Sequence, residues 1–85
     1  MNKYYLYILA CSDQTLYIGI TTDLKRRINE HNFSKLAAKY TSGRRPVKLV
    51  YAKKFDNHSL ALKEEFKIKK LSRLKKLEII KKQKI

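Results

Sequence analysis

Between Tyr5 and His31 the chain reads YLYILACSDQTLYIGITTDLKRRINEH, two short runs of alternating apolar residues followed by a basic segment of helical period. In the first run Leu6, Ile8 and Ala10 alternate with Tyr5, Tyr7 and Leu9. In the second, Leu16, Ile18 and Ile20 alternate with Tyr17 and Gly19, which is the period of half-buried strands. Ser12-Asp13-Gln14 supplies a tight turn, so the spacing predicts an antiparallel hairpin. Pairing through that turn puts Tyr7 and Tyr17 on one face, roughly opposite each other, with Gly19 beside them and Leu6 and Ile18 behind. A helix capped by Thr22, with Asp23 placed well against its dipole, then lines up Leu24, Arg27, Ile28 and His31 on one face and turns Arg26 away.

The rest of the chain adds a strand and two helices. Residues 32–40 connect, with room for a helical turn, to a basic loop in which Gly43 and Pro46 mark a turn. Arg44 and Arg45 on that loop are candidate phosphate contacts, because guanidinium offers paired donors to phosphate oxygens; an exposed loop that is simply basic is the plain alternative. Val47 to Ala52 reads as a third strand. Asp56 to Ser59 is a turn and cap cluster in which His58 reads as a capping residue. From Leu60 the residues Leu60, Ala61, Ile68 and Leu71 recur at helical spacing, with Leu62 and Phe66 on an adjoining stripe and Lys63, Lys67 and Lys70 toward solvent. Ser72 caps a last helix, Arg73 to about Ile80, with Leu74, Leu77 and Ile80 inward and a lysine-rich end that frays.

Eighty-five residues suit a single domain over 1–85, which at this size buries only about 60–65% of its unfolded surface. The expected architecture is α/β (α+β), a three-stranded, mainly antiparallel sheet flanked by helices. Twenty-one Lys and Arg against seven Asp and Glu give a formal charge of +14, spread along the whole length. A charge of that size with six Tyr and three Phe makes nucleic acid the first partner to consider, against a lysine-rich surface that only keeps the protein in solution. The single cysteine, Cys11, excludes an internal disulfide and a multi-cysteine zinc cluster, and reads as a packing residue in a reducing, cytoplasmic setting. Nothing approaches a membrane-spanning length, and no protein partner is specified.

Tyr5-Leu6-Tyr7, Tyr17-Ile18-Gly19, Arg27 and His31, in this order and spacing, resemble the core of the GIY-YIG nuclease family. The resemblance covers nearly the whole chain, and GITTDLKRR, KYTSGRRPVKLVY and IKKLSR resemble the small stand-alone members expected to be endonucleases. The first triplet lacks the family's glycine, and no asparagine follows Asn57 to match the one frequent late in the family.

Hydrolysing a phosphodiester takes a proton acceptor, positive charge on the phosphoryl oxygens and usually a divalent cation. Glu64 and Glu65 both lie away from the lysine face, and helical geometry does not choose between them. The resemblance does: Ala61-x-x-x-Glu65-x-x-Ile68-Lys69 is similar to the family helix that carries the metal-binding glutamate. It implies Glu65 as ligand of a divalent metal, Mg2+ or alternatively Mn2+, where otherwise a surface pair of Glu65 with Lys69 is expected. It likewise implies Arg27 as the group that binds the scissile phosphate, Tyr7 and Tyr17 as the two active-site phenols with either one able to serve proton transfer, and His31 as their support. A cross-strand tyrosine pair and a helix-end histidine are the structural alternatives. The implied activity is metal-dependent endonuclease cleavage, of DNA in the first instance, with Lys39, Arg44, Arg45, Lys69 and Arg73 as nucleic-acid contacts. The rivals are an inactive or weakly active binding module of the same fold and a small basic RNA-associated protein.

Overall fold

Tyr4–Ala10 (β1) and Leu16–Thr21 (β2) form the hairpin that the alternation predicts in this computed structural model, which describes residues 3–83. Cys11 N–H donates to the Thr15 carbonyl at 2.9 Å, and Asp13 Oδ1 accepts from Thr15 N–H at 3.1 Å and its hydroxyl at 2.6 Å. Gln14 takes the left-handed φ of 69° that turns the chain back. Because the turn closes on the pair Ala10 and Leu16, Tyr7 stands opposite Gly19, and Tyr17 stands opposite Leu9. The two tyrosines share a face as expected but are diagonal neighbours, since the register is set by the turn.

The third strand, Lys48–Phe55 (β3), starts one residue later and ends three later than the apolar run suggests. Val47 is taken out of the ladder at its start by Asn32, whose side chain accepts from Val47 N–H at 2.6 Å and donates to its carbonyl at 3.1 Å. At the far end Tyr4 and Tyr5 of β1 offer backbone partners to Phe55 and Lys54, so the strand continues through charged residues. A register shift falls between Ile8 and Leu9. The order is β2-β1-β3, both pairings antiparallel, with β1 in the centre.

Leu24–Phe33 (α1), the short Lys39–Ser42 (α2), His58–Lys69 (α3) and Arg73–Lys82 (α4) complete the described residues. Asp23, not Thr22, caps α1, its carboxylate accepting from Arg26 N–H; Asn57 and Ser72 cap α3 and α4 in the same way. The sheet carries a core on each face. Leu6, Ile8, Ile18 and Tyr51 meet Ile68 of α3, with Leu71, Ile79 and Ile80 packed against them; Tyr7, Leu9, Cys11 and Val47 meet Leu24 and Ile28 of α1. Each fully buried Leu or Ile contributes about 1.5–3 kcal/mol.

Several apolar residues stay outside these cores. Only Ala61 and Ile68 of α3 are buried, so Leu60, Leu62 and Phe66 face solvent, and Leu74 and Leu77 of α4 are exposed rather than inward. The stripe that packs is narrow, and α4 seats Ile79 and Ile80 instead. The last helix also runs to Lys82, past the expected end, because Gln83 clamps Ala52 of the edge strand β3: its amide donates to the Ala52 carbonyl at 2.7 Å and accepts from Ala52 N–H at 3.1 Å. Of the lysine-rich end expected to fray, Lys84 and Ile85 lie outside the described residues.

Candidate active site

Tyr7 is the centre of the site because Gly19 makes room for it. A Cβ at position 19 would stand 2.6 Å from Tyr7 Cζ, so glycine opposite Tyr7 lets the ring lie across β2. The phenol then meets Nε2 of His31 at 2.9 Å, and Nδ1 of His31 meets the Thr41 hydroxyl at 2.7 Å. All three residues are buried. Thr41 donates its one hydroxyl proton to the Ala38 carbonyl at 3.0 Å, so it must accept from His31. His31 therefore carries its proton on Nδ1 and presents the Nε2 lone pair to Tyr7, which donates.

Burial, helped by the positive Arg27, pushes the His31 pKa down to about 4, so the imidazole is neutral at neutral pH. Burial also pushes Tyr7 up to about 12; Arg27 works against this, while Tyr17 and Glu65 add to it. Tyr7 is therefore a protonated phenol with a neutral acceptor on it. Tyr17 is half-buried, its ring centroid 6.4 Å from that of Tyr7 and 5.2 Å from that of His31.

Arg27, one turn before His31 on α1, reaches the same place. Its Nη1 donates to Glu30 at 2.8 Å and to the Leu36 carbonyl at 2.9 Å, and the guanidinium also interacts with the Tyr7 phenol. Burial opposes its charge, but the bonds to Glu30 and Tyr7 hold its pKa above the ordinary value. Glu65 comes from α3, across the sheet. Its charge adds slightly to the upward shift of Tyr7, and that of Glu64 to the upward shift of Tyr51. Glu65 is one-fifth exposed and lies 3.3 Å from Lys69.

The family model of the GIY-YIG catalytic domain matches residues 3–78. The chain belongs to the GIY-YIG family. A UPF0213 protein of Syntrophus aciditrophicus is 54% identical, over 95% of this chain and 93% of its own length. One from Staphylococcus saprophyticus is 51% identical, over 94% of this chain and 96% of its own. The solution structure of a UPF0213 protein from Bacillus halodurans superposes with a TM-score of 0.63 at 42% identity, covering 95% of this chain and 85% of that one. The protein EF2693 from E. faecalis gives 0.60 at 31% identity, covering 100% and 96%. The UPF0213 relatives are small members of the GIY-YIG family, whose domain is of nuclease type and implies contact with nucleic acid.

Within this GIY-YIG domain the other expected contact residues divide. Lys39, at the start of α2, Lys69 and Arg73 are exposed. Arg45 is half-buried and donates to the carbonyls of His31 and Ser34, at 2.6 Å for the first, so it closes the end of α1. Arg44 is bonded to Asp13 and the Tyr40 carbonyl. Sequence reasoning missed Thr41, Glu30 and Asn32, whose partners His31, Arg27 and Val47 are identified by the fold; only the three-residue spacing of Arg27 and Glu30 was a readable signal.

No group of three or more His, Cys, Asp or Glu among the described residues could enclose a metal ion. The donor set fits a cation that keeps most of its waters: Glu65 is a partly exposed carboxylate whose Oε2 pairs with Lys69, and Mg2+ is commonly held by one carboxylate together with waters and a phosphate oxygen. A hollow of about 460 Å³ along the outer side of α1, lined by Arg26 and Phe33 among others, contains none of the residues of the site. No helix among the described residues is long and apolar enough to cross a membrane.

Proposed function

We propose that this domain is a metal-dependent endonuclease that hydrolyses phosphodiester bonds of DNA. The observation that supports it most directly is that one buried phenol, Tyr7, donates to a neutral imidazole at 2.9 Å and also interacts with the guanidinium of Arg27. Arg27 binds the phosphate and stabilises the charge that builds on its oxygens, for which an always-protonated planar fork suits. Tyr7 takes a proton from the attacking water as it passes its own to Nε2 of His31. Burial is what most opposes an imidazolium there and Arg27 comes next; the substrate's negative charge offsets the second. The burial of the pair shields the transfer from bulk water. Tyr17 walls the exposed side. Glu65 would hold the Mg2+, with Mn2+ as the alternative, which supplies Lewis-acid charge to the phosphoryl group.

Plasmid nicking tests this reading. Activity with magnesium, none with EDTA, and a fall of at least about a hundredfold in Glu65→Ala with unchanged melting are expected. Full cleavage by that variant removes Glu65 from the site. Salt-sensitive binding without nicking would favour the binding module, a reading supported by the fact that Glu65 and Arg27 both already have protein partners, Lys69 and Glu30.

A further inference from the structure

Arg44 lies next to the site, yet two edges of its fork are already used. Nε donates to Asp13 Oδ2 at 2.9 Å and Nη1 to the Tyr40 carbonyl at 2.7 Å, tying the guanidinium to the β1–β2 turn and to α2. Two of its five N–H donors are taken in this way, and because both bonds lie in the guanidinium plane its faces stay available for stacking. It lies over the Tyr40 ring, with Cζ 4.0 Å from the centroid. Tyr40 in turn stacks on Tyr17, centroids 5.9 Å apart and planes 29° apart. Tyr17 meets His31 edge-on, and His31 holds Tyr7.

Contacts between these flat groups, stacked from Arg44 through Tyr40 to Tyr17 and edge-on from Tyr17 to His31, therefore lead from an exposed loop to the Tyr7–His31 pair. The outer end is accessible, Tyr40 being 39% and the Arg44 side chain 37% exposed. Guanidinium and aromatic faces are what bases stack on, and every base has such a face. In a regular duplex those faces are covered by neighbouring pairs, so only an unpaired nucleotide can offer one.

We infer that Tyr40 and Arg44 form a stacking platform for one unpaired nucleobase, so that the substrate class of this site is nucleic acid carrying an unpaired nucleotide near the cleaved bond. The inference rests on the hydrolytic reading only for where the cleaved bond lies; the platform itself is a binding site. The Asp13 carboxylate fixes the guanidinium over the ring, and Arg44 contributes to recognition through its face more than its charge.

Fluorescence anisotropy in EDTA tests it without any cleavage, using three labelled duplexes: fully paired, with one unpaired adenine, and with an abasic residue in place of that adenine. The wild-type protein should bind the adenine duplex about tenfold more tightly than the abasic one. Tyr40→Ala, and Arg44→Lys, which keeps the charge and loses the face, should bring the two within about twofold, whereas Tyr40→Phe should discriminate like wild type. Equal wild-type affinity for adenine and abasic duplexes overturns the platform, as does discrimination that survives both face-removing variants. Nicking without base discrimination overturns the platform alone, base discrimination without nicking overturns hydrolysis alone, and no binding to any duplex overturns both.

Discussion

His31 is the residue whose chemistry depends most on its surroundings. Its spacing from Arg27 was readable in the sequence, because both fall on the apolar face of one helix. Its tautomer was not, because the proton on Nδ1 is fixed by Thr41, which a basic turn brings in from ten residues away. The same dependence makes it a pH sensor of stability. A histidine held at about 4 when folded and near 6.5 when unfolded binds its proton mainly in the unfolded chain between those values. Stability is thus complete above about pH 6.5 and falls as pH drops toward 4, by about 3 kcal/mol in all from this one group. Arg27 and Arg45 reinforce the effect and Glu30 opposes it. Urea titrations from pH 7.5 to 4 should show the midpoint falling, and His31→Gln should flatten that slope. A slope of equal size in the variant would place the titration elsewhere.

Among the elements, the hairpin and α1 were legible because a single period repeats through each, and the turn residues between them are local. What local pattern could not give was register and strand length. Tyr7 faces Gly19 because of where the turn closes, and β3 extends through Lys53 and Lys54 because β1 has partners to spare. The outward Leu62, Phe66 and Leu74 show the converse: helical period marks a stripe, but the sheet decides how much of it is covered. Arg45 is the clearest case of a residue with a structural role the sequence did not show. As a loop cation it suggests a phosphate contact, and in the fold it also sits half-buried against the carbonyls at the end of α1. Arg45→Ala should therefore lower stability by about 1–3 kcal/mol, read from the urea midpoint at constant slope, and leave duplex affinity within about twofold. An unchanged midpoint with a tenfold loss of affinity would restore the phosphate contact.

For the molecule as a whole, the charge of +14 brings nucleic acid close, but it does not distinguish a cleaving domain from one that only binds. If the domain hydrolyses as proposed, the difference lies in whether the Tyr7 proton has somewhere to go. The sheet puts the phenol on the α1 side, Gly19 lets the ring settle, and α2 closes the far side of the imidazole with Thr41. Glu65 belongs to α3, the helix whose Ile68 packs on the opposite face of the sheet. Single-turnover cleavage by Tyr7→Phe, with magnesium and saturating duplex, tests this most directly, since phenylalanine keeps the ring and removes only the proton-carrying oxygen. A rate lower by about 10²–10⁴-fold, with DNA affinity within twofold of wild type, is the predicted result. A rate within threefold of wild type would contradict the account.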